Sequence, residues 1–95
     1  MKIICIGRNY VDHIKELKNK TPNEPVIFFK PTITLNSSSI FKMPNFSSNI
    51  HHEIEVIYEV GKEGKTIDEN DSLSFISRVG IGIDFTARDI QNKNK

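Results

Sequence analysis

Glu53 and Glu55 lie two residues apart in a stretch, Glu53 to Val60, that strictly alternates one set of side chains with another. On a strand both carboxylates project from one face, about 7 Å apart at the backbone. Two anions side by side repel, so the placement needs a reason. A hard divalent cation supplies one, because Mg2+ or Mn2+ favours carboxylate oxygens and keeps positions open for water or substrate. The plainer alternative is a solvated outer face, with Glu59 continuing the ladder. Asp84 brings a third carboxylate. Its face of a second alternating stretch otherwise holds only Gly80 and Gly82, which leaves open space beside the acid. Capping the helix after it is the simpler role for Asp84.

His13 and Glu16 stand at i and i+3 on an expected helix and are therefore surface neighbours. A histidine oriented by a carboxylate is a candidate general base for activating water, and an inconsequential surface pair is the alternative. Arg88 and Gln91 share the same spacing and could grip a carboxylate ligand. His51 and His52 precede Glu53 and are potential ligands, although alternating directions prevent both from facing it. Cys5, inside an apolar run, reads as a core residue.

The elements that must carry these groups are set by patterning. Lys2 to Gly7 reads as a short buried strand stopped by its glycine. Asn9 can cap a helix from Tyr10, with Asp12 in its first turn and Tyr10, Ile14 and Leu17 on one apolar face. Val26 to Lys30 is a strand fenced by Pro25 and Pro31, and Thr32 to Leu35 could extend it. The segments 36–39 and 40–49 read as loop and irregular chain. Glu53 to Val60 is the clearest strand, with Ile54, Val56, Tyr58 and Val60 opposite the carboxylate face. After a glycine-bearing turn, Asp68 starts a short helix whose apolar content is Leu73, Phe75 and Ile76. Val79 to Phe85 is a further strand, and Thr86 opens a last short helix with Asp89 placed as in a capping box.

Composition narrows the classes. Ninety-five residues make one small domain at most, and 37% hydrophobic residues make a thin core. A formal net charge of +1 lacks the basic excess of a nucleic-acid binder. No apolar run reaches the ~18 residues of a membrane span, and the N-terminal run is too short for a signal peptide. One cysteine excludes an internal disulfide framework and points to the cytosol.

Four runs resemble a known family: Gly7-Arg8-Asn9-Tyr10-Val11-Asp12-His13, Phe29-Lys30-Pro31, His51-His52-Glu53-Ile54-Glu55 and Asp84-Phe85-Thr86-Ala87-Arg88-Asp89-Ile90-Gln91. In order and spacing they resemble the fumarylacetoacetate hydrolase family, nearest its acylpyruvate hydrolase and oxaloacetate decarboxylase branch. The resemblance implies an α+β, mainly β fold: part of a mixed β-roll with few helices, usually in a homodimer. Residues 1–95 would form the N-terminal portion of one catalytic domain, with a lid-like helical segment at about 9–20. The family continues with a further active-site lysine, more sheet and a late Gly-Thr-Pro loop.

By this resemblance Glu53, Glu55 and Asp84 match Mg2+ or Mn2+ ligands, and His13 with Glu16 matches a water-activating dyad. Arg8, Asn9, Lys30, Arg88 and Gln91 match substrate-binding positions. The implied reaction is metal-assisted hydrolysis or decarboxylation at a carbon–carbon bond beside the ketone of a small 2-oxo acid. Isomerases and hydratases of the family share the ligands. The other reading is an inactive fragment that only self-associates or pairs with a complementary chain, as a thin core and exposed sheet edges would favour.

Overall fold

The computed structural model describes residues 1–10 and 23–94. They fall into two compact units, Met1–Phe41 and Lys42–Lys95. In the first, β1 (Ile3–Gly7) pairs antiparallel with β2 (Val26–Lys30), Ile3 lying opposite Lys30 and Gly7 opposite Val26. Both strands fall where the apolar runs place them, and Pro25 and Pro31 bracket the second. The chain does not extend β2 beyond Pro31. Thr32–Thr34 instead forms a 3-10 turn, because proline has no N–H to continue a ladder. The Thr34 N–H and hydroxyl both donate to the Pro31 carbonyl, at 3.0 and 2.7 Å, and satisfy it locally. The helix expected from Tyr10 lies, from residue 11 onward, outside the described residues.

The second unit is built on a longer pair. β3 (Ile50–Val60) runs antiparallel to β4 (Ile76–Ala87), with one irregularity in register between Glu59 and Val60. Both strands outrun the limits set by alternation alone. β3 begins three residues before Glu53, and β4 takes in Ile76 at one end and Thr86 and Ala87 at the other. Ladder partners on the facing strand hold these flanks extended, a non-local effect that local periodicity does not report.

Asp68 does cap the next element, accepting from the Asn70 N–H at 2.8 Å. That element is a 3-10 helix over Glu69–Phe75, and Ile76 lies outside it. The Ser72 and Ser74 hydroxyls donate to carbonyls three residues back, both at 2.7 Å, the kind of local bond that keeps serine from favouring longer helices. The final helix, α1 (Arg88–Lys93), starts two residues later than Thr86, and its N-cap Ala87 makes no side-chain capping bond. The capping box expected from Thr86 and Asp89 is therefore absent: Thr86 is spent on the β4 ladder opposite His51.

Burial is uneven across the β3–β4 pair. Ile54 faces Ile83, Val56 faces Ile81 and Tyr58 faces Val79, an apolar face that is largely exposed, with Ile54 at 69% and Ile81 at 79%. The carboxylate face is the better covered: Glu53, Glu55 and Asp84 are all half-buried. The first unit shows a like pattern, Ile4 and Ile6 standing exposed opposite Phe29 and Ile27. Among the described residues no large side chain is fully buried, and no helix is long and apolar enough to cross a membrane.

Candidate functional site

The register of β3 and β4 decides how the acids relate. Glu53 is the direct partner of Asp84, and Glu55 that of Gly82. Residues in register share a face with Cβ atoms about 4.5–5.5 Å apart, so Glu53 and Asp84 are cross-strand neighbours, with Glu55 two residues along. Glu59 stands on the same face but in different company. It is exposed and takes a two-pronged contact from Arg78, Nε to Oε1 at 3.0 Å and Nη2 to Oε2 at 2.6 Å, with the Ser77 hydroxyl donating at 3.0 Å. Arg78 first, then Ser77, holds Glu59 below the usual glutamate range. The ladder therefore divides: Glu59 is a surface ion-pair residue, and the other three acids form a separate half-buried group.

The two glycines on this face behave differently. A Cβ on Gly80 would meet nothing within 4 Å, the open space expected beside the acids. At Gly82 that expectation fails, since a Cβ would lie 2.5 Å from Ile57 Cδ1. Ile57 is on the carboxylate face of β3 and leans over the position that glycine leaves vacant.

Arg88 ties the face to α1. It is 8% exposed, and its backbone N–H donates to the Asn49 carbonyl at 2.9 Å. The guanidinium donates from Nε to His51 Nδ1 at 3.1 Å, from Nη1 to Gln91 Oε1 at 2.6 Å, and from Nη2 to Glu53 Oε1. The Arg88–Gln91 pairing expected from i, i+3 spacing is thus formed. His51, accepting through Nδ1, lies on the Glu53 face, and His52 falls to the other. The Glu53 and His51 contacts to Arg88 are not legible in the sequence, because they span 35 and 37 residues.

Next to Arg88, Asp89 accepts from the Ser47 hydroxyl at 2.6 Å and from the Ser48 N–H at 3.1 Å. The Ser47 bond is the main reason its carboxyl lies below the usual aspartate range. Asp89 is therefore a clamp between α1 and the segment before β3, in place of the capping role its spacing suggests.

The three carboxylates on adjacent strands are hard oxygen donors, the ligand type that a divalent cation such as Mg2+ or Mn2+ takes. Among the described residues, however, no three His, Cys, Asp or Glu side chains are gathered into a ready cage; Glu53 is engaged by Arg88. In the first unit, Arg8 comes directly after β1 with a positive φ of 52°, a conformation that costs a non-glycine residue about 1–2 kcal/mol. Asn9 beside it is exposed, and Lys30 is half-buried at the end of β2. His13 and Glu16 lie outside the described residues.

Known proteins share this arrangement of strands. The family model described as fumarylacetoacetate (FAA) hydrolase C-terminal matches residues 2–95. A mitochondrial oxaloacetate tautomerase of Arabidopsis thaliana is 38% identical over 99% of this chain and 43% of its own length. A mitochondrial oxaloacetate decarboxylase of Dictyostelium discoideum is 41% identical over 96% of the chain and 43% of its own. The chain thus spans about two-fifths of the length of the curated relatives it matches. The crystal structure of a protein described as a fumarylacetoacetate isomerase/hydrolase from Oleispira antarctica superposes with a TM-score of 0.88 at 35% identity, over 97% of this chain and 42% of that one. A protein from Burkholderia cenocepacia described as a fumarylpyruvate hydrolase gives 0.80, also at 35% identity, over 98% of this chain and 39% of its own. The mainly-strand architecture is therefore the fold of those domains over the shared part, and the chain belongs to the fumarylacetoacetate hydrolase family, matching its C-terminal domain model.

Proposed function

We propose that this chain carries the metal-binding part of an enzyme that acts beside the ketone of small 2-oxo acids of the oxaloacetate or acylpyruvate type. The observation that carries the reading is the Glu53–Asp84 register with Glu55 on the same face. The names of the relatives, a tautomerase and a decarboxylase of oxaloacetate, support the substrate class. Glu53, Glu55 and Asp84 would hold Mg2+ or Mn2+. When bound, that cation supplies positive charge to the 2-oxo and carboxylate oxygens of the substrate.

The chain's own side chains would do the rest. Arg88, steadied by Gln91, offers a planar fork of donors to a carboxylate. Arg8, Asn9 and Lys30 are assigned further substrate contacts. In decarboxylation the bond to the departing carboxylate breaks, and its electron pair spreads onto the 2-oxo oxygen. Tautomerisation moves a proton from the neighbouring carbon to that oxygen. Hydrolysis needs one more part, a base that takes a proton from the water attacking the distal carbonyl, and His13 oriented by Glu16 is assigned that role. His13→Ala should therefore abolish hydrolysis while leaving decarboxylation largely intact.

Thermal melts of the chain with Mn2+, with and without oxalate, test the reading, oxalate standing in for the 2-oxo-carboxylate end. A stabilisation by Mn2+ that oxalate enlarges and Glu53→Gln removes is the expected result. A melt indifferent to Mn2+ refutes the site. The exposed apolar faces of both strand pairs favour a second reading, in which the chain acts only once joined to a copy of itself or a complementary polypeptide. Sedimentation of the active species distinguishes the two, and cell fractionation tests the cytosolic placement.

A further inference from the structure

We propose that Asp89 and Ser47 are positioning residues for ligand binding: by tying the first turn of α1 to the residues before β3, they set where Arg88 and Gln91 stand relative to the three acids. This rests on the reading above and deepens it, giving a role to two residues that touch neither cation nor ligand.

α1 is poorly equipped to orient itself. It has six residues, Arg88–Lys93, whereas an isolated helix needs about 12–15 to be even marginal in water. Arg88 is the one residue it buries, and its N-cap, Ala87, makes no side-chain capping bond. Its one apolar residue, Ile90, is 37% exposed and is a poor anchor. The direction in which α1 leaves β4 must therefore come from bonds made at its first turn.

Three such bonds reach consecutive residues. The Arg88 N–H donates to the Asn49 carbonyl at 2.9 Å, the Ser47 hydroxyl to Asp89 Oδ1 at 2.6 Å, and the Ser48 N–H to Asp89 Oδ2 at 3.1 Å. Ser47 Oγ also accepts from the Asn49 N–H at 3.2 Å, so the same hydroxyl shapes the turn that presents the other two partners. The Arg88 bond carries the ladder one step past the Ile50–Ala87 pair. The two bonds to Asp89 then fix the angle at which the chain turns away, because a carboxylate gripped through both oxygens resists rotation as a single contact does not. The Ser47 bond also favours the charged form of Asp89, which keeps it an acceptor at both oxygens.

Placement gives the clamp its reach. Ile50–Ala87 stands three pairs from Glu53–Asp84, about 10 Å along the ladder. Arg88 follows Ala87 directly, so its long side chain works across that span, and a small change of angle at the take-off becomes a large one at its tip. Misplacing a positioned group by 1 Å can cost about 10²-fold. The acids themselves belong to the β3–β4 ladder, which the clamp lies beyond. Its loss therefore separates two properties: ligand binding weakens and cation binding stays.

The test is calorimetric titration of the full chain, Ser47→Ala, Ser47→Thr and Asp89→Ala, first with Mn2+ and then with oxalate at saturating Mn2+. Oxalate is expected to bind roughly tenfold more weakly to both alanine variants, with Mn2+ affinity within about twofold of the parent. Ser47→Thr keeps the hydroxyl and should restore most of the oxalate affinity. Mn2+ and oxalate binding that weaken in step, or no recovery in Ser47→Thr, assigns the clamp to stability alone and overturns the proposal. Oxalate affinity unchanged in both alanine variants overturns it too, and leaves the metal site standing. Mn2+ binding absent from the parent removes the metal reading and this one together. Ser47→Ala removes one hydroxyl and leaves the Ser48 bond, so it carries the test if Asp89→Ala does not fold. A further measurement needs neither cation nor oxalate: the Arg88 Nε–Hε resonance should move in Ser47→Ala and return in Ser47→Thr. A resonance that stays at the parent's position overturns the proposal.

Discussion

Asp89 and Ser47 are 42 positions apart, and their 2.6 Å bond joins the start of α1 to the segment leading into β3. The bond fixes a pH dependence. Asp89 titrates below its ordinary value in the folded chain, so its contribution is present above the ordinary aspartate pKa of about 3.9 and is lost as pH falls through the lower folded value. Melting temperatures measured from pH 6 down to pH 2 should therefore drop at the acid end, and Ser47→Ala should flatten that drop. A pH profile unchanged by Ser47→Ala would show that the clamp contributes nothing. At this scale the acids were legible in the sequence, since alternation alone puts Glu53 and Glu55 on one face. Arg88 was legible only in part. Its spacing to Gln91 is a matter of helix geometry, but the contacts to His51 and Glu53 depend on where α1 leaves β4.

Among the elements, β4 is the one whose glycines carry different constraints from the turn that precedes it. Gly80 has open space where a Cβ would sit, and glycine inside a strand costs roughly 0.5–1 kcal/mol relative to alanine. Gly80→Ala should accordingly raise stability by about that amount in a urea titration. Gly64 differs: a Cβ there would run into the Phe75 ring, which also carries the Lys62 ammonium 4.5 Å from its centroid. Overpacking of this kind costs about 1–3 kcal/mol, so Gly64→Ala should lower stability. The opposite signs are the test, because intrinsic propensity alone would move both variants the same way. The short elements were read only in part: the helix after Asp68 stands where it was expected, the last helix starts two residues late, and Thr32–Thr34 is a 3-10 turn and not more strand. Asp68 caps as its position suggests, yet serines bonding three residues back make the helix 3-10, and Pro31 turns the chain where β2 might have continued.

On the scale of the whole molecule, the apolar stripes are the demand that the fold leaves open. Ile54, Val56, Tyr58 and Val60 with Val79, Ile81 and Ile83 expose one face of the β3–β4 pair, and Ile4, Ile6, Ile27 and Phe29 one face of the β1–β2 pair. Contiguous apolar surface on this pattern drives association and leaves a lone chain weakly cooperative. The purified chain should therefore bind an apolar dye, melt over a broad range and sediment with a mass that rises with concentration. Ile54→Lys combined with Ile81→Lys should lower that rise; a chain that stays monomeric at all concentrations contradicts the expectation.

Period-two alternation, proline fences and four spaced runs were enough by themselves to place the central part of each strand, to put Glu53 and Glu55 on one strand face, and to identify the family. Each rests on local chemistry that a linear order carries in full. The tertiary structure decided which acids are partners and what holds them. Glu53 sits opposite Asp84 because of the register in which β3 and β4 pair. Arg88 reaches Glu53 because α1 starts at the end of that ladder. It also decided that the acids, and not the apolar residues, occupy the better covered face. Contacts across 35 to 42 residues are set by strand register and by the path of the intervening chain, and neither quantity is written in the spacing of the residues that meet.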